Sequence, residues 1–159
     1  MKRKDLILDA NALAAALEVG KSGALAAMRN GRCSAWFAKL WAAKHCNVIP
    51  HDNTNNKDFN SWHLGSAANV VALTSSGLNI VRSGNKGKNR SNPDDAQESL
   101  ERLANRITMW VVVDVTLFPH VTLVMIDGDE MRDFVQRGLI TIGGIKRNTF
   151  YKMIGPATS

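Results

Sequence analysis

Two cysteines, Cys33 and Cys46, are all the chain has, too few for the disulfide framework that holds many small secreted domains together. A single bridge between them stays open. Absent too is any run of about 18 apolar residues, which argues against a bilayer-spanning helix. The stretch Met1-Lys2-Arg3-Lys4-Asp5 turns amphipathic with neither the apolar block nor the small-residue cleavage site of a secretory signal. The expectation is synthesis in the cytoplasm without a cleaved signal, with any export by another route. There is no internal repeat and no low-complexity tract. Acids are in the minority: 14 Asp and Glu stand against 20 Lys and Arg, for a net charge of +6 and a pI near 9.6. Such a balance favours a polyanionic partner, and nucleic acid and the anionic bacterial cell wall both qualify. What the chain does have is apolar material, 45% of 159 residues, enough for the core of one domain spanning residues 1–159.

The pattern runs from helices through loops to strands. Leu6, Leu8, Ala10, Leu13, Ala14 and Leu17 fit an amphipathic helix that starts at Asp9 or Asn11 and stops at Gly20. Gly23 to Met28 continues as a short helix. After Cys33, the residues Trp36, Phe37, Leu40 and Trp41 make one wide apolar stripe, predicting a buried helix that Asn47 and Pro50 end. His51 to Gly65 reads as a surface loop. Asn69 to Leu73 and Leu78 to Arg82 read as strands joined by Ser75-Ser76-Gly77, followed by a basic, glycine-rich loop, 83–90. Pro93-Asp94-Asp95 opens a helix to about Arg106, because proline and acids suit a first turn. Met109 to Leu117 and His120 to Ile126 read as strands, and Asp127-Gly128-Asp129 as the next hairpin.

The chemistry concentrates in Asn30-Gly31-Arg32-Cys33-Ser34-Ala35-Trp36-Phe37, a turn followed by a cysteine at the head of a helix. Unpaired amides and the positive dipole end there favour a thiolate over a thiol, and Arg32 pushes the same way. A thiolate nucleophile needs a base, and His120, at the head of the strand in Pro119-His120-Val121-Thr122, is the best-placed histidine. Asp133 is the choice for a third group orienting the imidazole, since a turn at 127–129 would return the chain beside His120; Asp129 and Asp127 are the alternatives. The Cys33 amide would meet the oxyanion. A lone cysteine is equally a small buried hydrophobe, and His120 equally an ordinary strand-edge histidine.

This order of elements resembles papain-like cell-wall hydrolases of the NlpC and CHAP types. The likeness rests on Cys33-Ser34-Ala35-Trp36-Phe37-Ala38, on the strand Trp110 to Val115, and on Pro119-His120-Val121-Thr122-Leu123-Val124, over residues 30–135. Pro119 departs from it, because glycine is commoner before that histidine. Among these families the chain looks most like the small amidase effectors of type VI secretion. The resemblance implies an α+β, papain-like fold with an N-terminal helical part and a small antiparallel sheet. It also implies a cysteine amidase or endopeptidase acting on peptidoglycan peptides in the periplasm of a target cell, with a cognate immunity protein as partner.

Other constellations are weaker. His45, Cys46, His51 and His63 match no paired zinc-ligand spacing, so neither metal nor cofactor is expected. Lys86, Lys88 and Arg90, with Lys146, Arg147 and Lys152, suit phosphates as well as solvent. Trp62, in an Asn-rich segment, would line a substrate groove or anchor a loop. The competing function is a DNA-binding protein of a phage or mobile element. Residues 13–30 resemble a helix-turn-helix, although its second helix offers only Arg29 and Asn30 as base readers. A degenerate nuclease-like fold is the other form of that alternative: Trp110 to Ile126 resembles nuclease strands, but no acidic pair followed by Glu-x-Lys is present.

Overall fold

A computed structural model describes residues 1–30, 33–51, 59–80 and 93–155. The expected mixed α+β composition is present, in the order β1 (Lys2–Ile7), α1 (Ala10–Ala16), α2 (Lys21–Arg29), α3 (Ser34–Cys46), β2 (Val48–Pro50), β3 (Ser61–His63), β4 (Ser66–Thr74), β5 (Gly77–Leu78), α4 (Pro93–Arg106), β6 (Met109–Asp114), β7 (His120–Asp127), α5 (Gly128–Gln136) and α6 (Arg147–Ile154).

The described strands form one seven-stranded sheet in the order β1-β7-β6-β4-β3-β2, with β5 paired to the end of β4. It is therefore larger than expected, and it is mixed, because β4 and β6 run parallel, in register Ala68 with Met109 through Leu73 with Asp114. The remaining pairs are antiparallel. A parallel neighbour needs a crossover, and α4 supplies it.

Helices cover both faces. The strand period of two sends Val111, Val113, Val121 and Leu123 into a core with Ala10, Met28, Ala38 and Ala42 of the N-terminal helices. The intervening positions Trp110, Val112, Val124 and Ile126 enter a second core with Leu100 and Ala104 of α4, Met131 of α5 and Phe150 of α6. A central strand covered on both sides reads as a continuous apolar run, and Trp110-Val111-Val112-Val113 is buried throughout.

Local chemistry explains where the elements begin. Asp9 caps α1, its carboxylate accepting from the amides of Asn11 and Ala12 at 2.9 Å. The helix thus starts at the expected Asp9; Leu6 and Leu8, which fit its apolar pattern, lie instead in and just past an edge strand, β1, which pairs with β7 from Lys2–Met125 to Ile7–His120, and both pack into the first core. Asn47 ends α3 in the left-handed region at φ 54°.

Two further expectations are corrected. The buried stripe of α3 is Ser34, Ala38, Ala42 and Cys46, small residues four apart that let the helix lie close to the sheet, while Trp36 is 61% exposed and Leu40 also faces out. Asp127-Gly128-Asp129 makes no hairpin. Asp127 caps α5, accepting from the Asp129 amide at 2.9 Å, while the Glu130 carboxylate accepts from the Asp127 amide at 3.4 Å. Gly128 is required there, because a Cβ would lie 2.4 Å from the Ile107 carbonyl oxygen.

Candidate functional site

Chain direction brings several sequence-selected residues to one end of the sheet. The Ser75 amide, just past β4, donates to the Arg29 carbonyl at 3.2 Å. The Arg29 guanidinium donates to the Phe118 carbonyl from Nη2 at 2.6 Å and Nε at 3.1 Å. Cys33 follows Arg29 by four residues and His120 follows Phe118 by two, so both stand at the carboxyl ends of the parallel strands, where α/β sheets commonly bind ligands.

Facing separates them. Cys33 heads α3, which lies on the face of Val121 and Leu123; its thiol is exposed and makes no cap hydrogen bond. His120 is exposed and occupies the opposite register, shared with Thr122, Val124 and Ile126. Asp133 belongs to α5, which begins at the far end of β7, and its exposed carboxylate accepts from Arg137 at 3.0 Å. Asp129 is held by Arg132 at 2.8 Å and Asp127 by its capping role. Among the described residues, no side-chain hydrogen bond joins Cys33, His120 and any of these three acids.

Cys46, at the other end of α3, is buried, and desolvation raises its thiol pKa above the usual value. Thirteen residues of helix separate it from Cys33, about 20 Å of rise, against the 7 Å or less that a bridge needs between Cα atoms. Both thiols are free. The described residues hold no group of three or more His, Cys, Asp or Glu side chains suited to a metal. Lys86, Lys88 and Arg90 lie outside the described residues. The turn between α1 and α2 exists, with Glu18 at φ 53°, but Arg29 is spent on Phe118 rather than free to read bases.

Sequence reasoning missed the best-built polar centre. Asp114 ends β6 at 2% exposure, and four donors reach its carboxylate: the Thr116 amide at 2.9 Å and hydroxyl at 2.6 Å on Oδ1, and Arg147 Nε at 2.7 Å and the Tyr151 hydroxyl at 2.9 Å on Oδ2. Burial, then Asp114, pushes the Tyr151 hydroxyl up to about 12. Arg147 and Arg3 lie over the Tyr151 ring at 4.7 and 5.6 Å. Only the acid closing Val111-Val112-Val113-Asp114 hints at this centre in the sequence; Thr116 is two residues on, but Arg147 and Tyr151 lie 33 and 37 residues away.

Trp62 sits on β3 opposite Ile49 and Ala67. It stacks on His51 with centroids 5.9 Å apart and planes at 20°, and meets Phe59 edge-on at 4.6 Å. It is 38% exposed.

Charge divides the molecule as well. Residues 33–51 and 59–80, which carry α3 and β2 to β5, contain no Asp or Glu, but hold Lys39, Lys44, His45, His51 and His63. At the opposite sheet edge, β1 exposes Lys2, Arg3 and Lys4. No family model, curated protein or solved structure matches the chain.

Proposed function

We propose that this protein binds nucleic acid, using a nuclease-like helix–sheet–helix sandwich as a scaffold. The observation that carries the reading is the charge distribution: the described residues of α3 and β2 to β5 contribute no carboxylate to the surface, in a chain of net charge +6. Such a surface attracts phosphates, and each neutralised phosphate releases a counterion, which makes affinity fall with salt. The only buried carboxylate among the described residues, Asp114, is committed to Arg147, Tyr151 and Thr116. Together with the missing Glu-x-Lys pattern, this favours binding over strand cleavage. Fluorescence anisotropy with labelled DNA over a salt series tests the reading. Binding that weakens linearly in log–log form supports it; absence of binding at about 50 mM salt defeats it.

The cysteine amidase of papain-like type is the second reading, favoured by the exposed Cys33 thiol at the head of α3, at the same sheet end as His120. In that reading Cys33 attacks a peptidoglycan amide, His120 moves the proton and Asp133 orients the ring, in the periplasm of a target cell and under control of an immunity protein. The opposite facing of His120 ranks it second. Mass spectrometry of peptidoglycan fragments after incubation with wild type and Cys33→Ala decides: amide-cleaved muropeptides from the wild type alone would move this reading to first place.

A further inference from the structure

Helix α6 is clamped to the sheet along one side and bare along the other. Arg147 in its first turn and Tyr151 one turn later both donate to Asp114, Phe150 is fully buried, and Met153 and Ile154 pack against the second core. At about 100° per residue these five leave a single outward arc. Asn148, Thr149 and Lys152 occupy it, and all three are exposed. Among the described residues no hydrogen bond or ion pair engages their side chains or that of Lys146, the N-cap residue. The buried Asp114 centre therefore fixes the rotation of a helix whose free face consists of hydrogen-bonding groups.

Charge and shape identify the partner. Residues 134–155 contain Arg137, Lys146, Arg147 and Lys152 and no acid. The carboxylates of β6, β1 and α5 are already met: Asp114 by Arg147, Asp5 by Arg3, Asp129 by Arg132, Glu130 by the N-terminal ammonium and Asp133 by Arg137. The acids of α4, Glu98 and Glu101 among them, sit on the crossover from β4 to β6, whereas α6 meets the sheet at β6 and β1, through Asp114 and Arg3. Lys146 and Lys152 thus present uncompensated charge, which suits a polyanion. Both rings of the helix, Phe150 and Tyr151, are turned to the sheet, so α6 offers no stacking surface to the bases of a single strand. A duplex needs none, because its major groove, about 12 Å wide, admits an α-helix, and Asn and Lys side chains there meet base edges. We infer that α6 enters the major groove of double-stranded DNA, presenting Asn148, Thr149 and Lys152 to the base edges. The inference rests on the nucleic-acid reading above. It adds a contact element on the opposite face of the sheet from α3, at the end where α3 also begins.

The test measures anisotropy at fixed salt for wild type, Asn148→Glu, Thr149→Glu and, as control, Asn11→Glu. The probes are a mixed-sequence duplex of about 20 base pairs, the same duplex with glucosylated 5-hydroxymethylcytosine filling its major groove, and one of its single strands. Asn148 and Asn11 are each the second residue of an α-helix and exposed. An acid there suits the helix dipole, so the substitutions add equal charge without threatening the fold. A base-edge contact is worth about a 5- to 150-fold change in affinity. Asn148→Glu and Thr149→Glu should each weaken plain-duplex binding at least about fivefold, and the glucosylated duplex should bind wild type at least about fivefold more weakly than the plain one, while Asn11→Glu stays within about twofold of wild type. Plain-duplex affinity unchanged in either α6 variant, indifference of wild type to the glucose, or a preference for the single strand overturns the groove contact alone. Wild type that binds neither strand form overturns the nucleic-acid reading along with it.

Discussion

Arg147 and Asp114 meet through a 2.7 Å bond from Nε to Oδ2, joining the first turn of the last helix to the end of a central strand. The carboxylate is buried and the guanidinium about one-third exposed. Desolvating Asp114 is tolerable only because four donors converge on it.

Removing that acceptor strands its donors. Asp114→Ala leaves the Tyr151 hydroxyl, the Thr116 hydroxyl and Arg147 without their partner, and should cost about 3 kcal/mol. Chemical denaturation provides the measure. Asp133→Ala, which breaks only an exposed i,i+4 pair with Arg137, should stay within about 0.5 kcal/mol. Equal losses for the two variants would show that the Asp114 centre does not hold α6 to the sheet.

Tyr151 is the chain's one tyrosine, so tyrosinate absorbance reports it alone. Its folded pKa is pushed up to about 12 from an ordinary 10, by burial first and then by Asp114. The unfolded chain therefore loses this proton first. The Tyr151 contribution to stability is fully present below about pH 10 and is lost as pH rises from there through about 12. A spectrophotometric titration should place the native midpoint near 12, and Asp114→Asn should lower it only in part, since burial remains. A native midpoint near 10 would contradict the packing of α6.

Glycines separate by their surroundings. Gly128→Ala puts a Cβ 2.4 Å from the Ile107 carbonyl oxygen, forcing α5 away from the segment before β6, and should destabilise by about 2 kcal/mol. Gly23, within α2, has nothing within 4 Å of the position a Cβ would take, so Gly23→Ala should stabilise by about 0.5–1 kcal/mol. Thermal melting of both variants checks the opposite signs.

What the sequence reveals follows from short-range rules. Asp9 and Asn47 cap or stop helices through their own backbone neighbours, and the 93–106 helix begins with proline and acids as a first turn should. The differences arise where packing decides. Trp36 and Leu40 read as core because they are large, but only Ser34, Ala38, Ala42 and Cys46 let α3 approach the sheet closely. The parallel alignment of β4 with β6 depends on which strand neighbours which, and local alternation carries no such information. For the site the limit is sharper: element order brings Cys33 and His120 to one end of the sheet, but the side chosen by His120 depends on a register set by Val121 and Leu123 packing under the N-terminal helices.

That register makes the dyad testable through the thiols themselves. Cys33 is exposed, while Cys46 is buried with its pKa raised by desolvation. A disulfide reagent at about pH 7.5 should therefore label one thiol per chain quickly and the second only after unfolding. If His120 activated Cys33, its replacement by alanine would lower the thiolate fraction and slow the fast phase severalfold. With the imidazole on the other face of the sheet, His120→Ala should leave the fast rate within about twofold. A clear slowing, in a variant whose melting temperature is unchanged, would bring the two residues together in solution and return the amidase reading to first place.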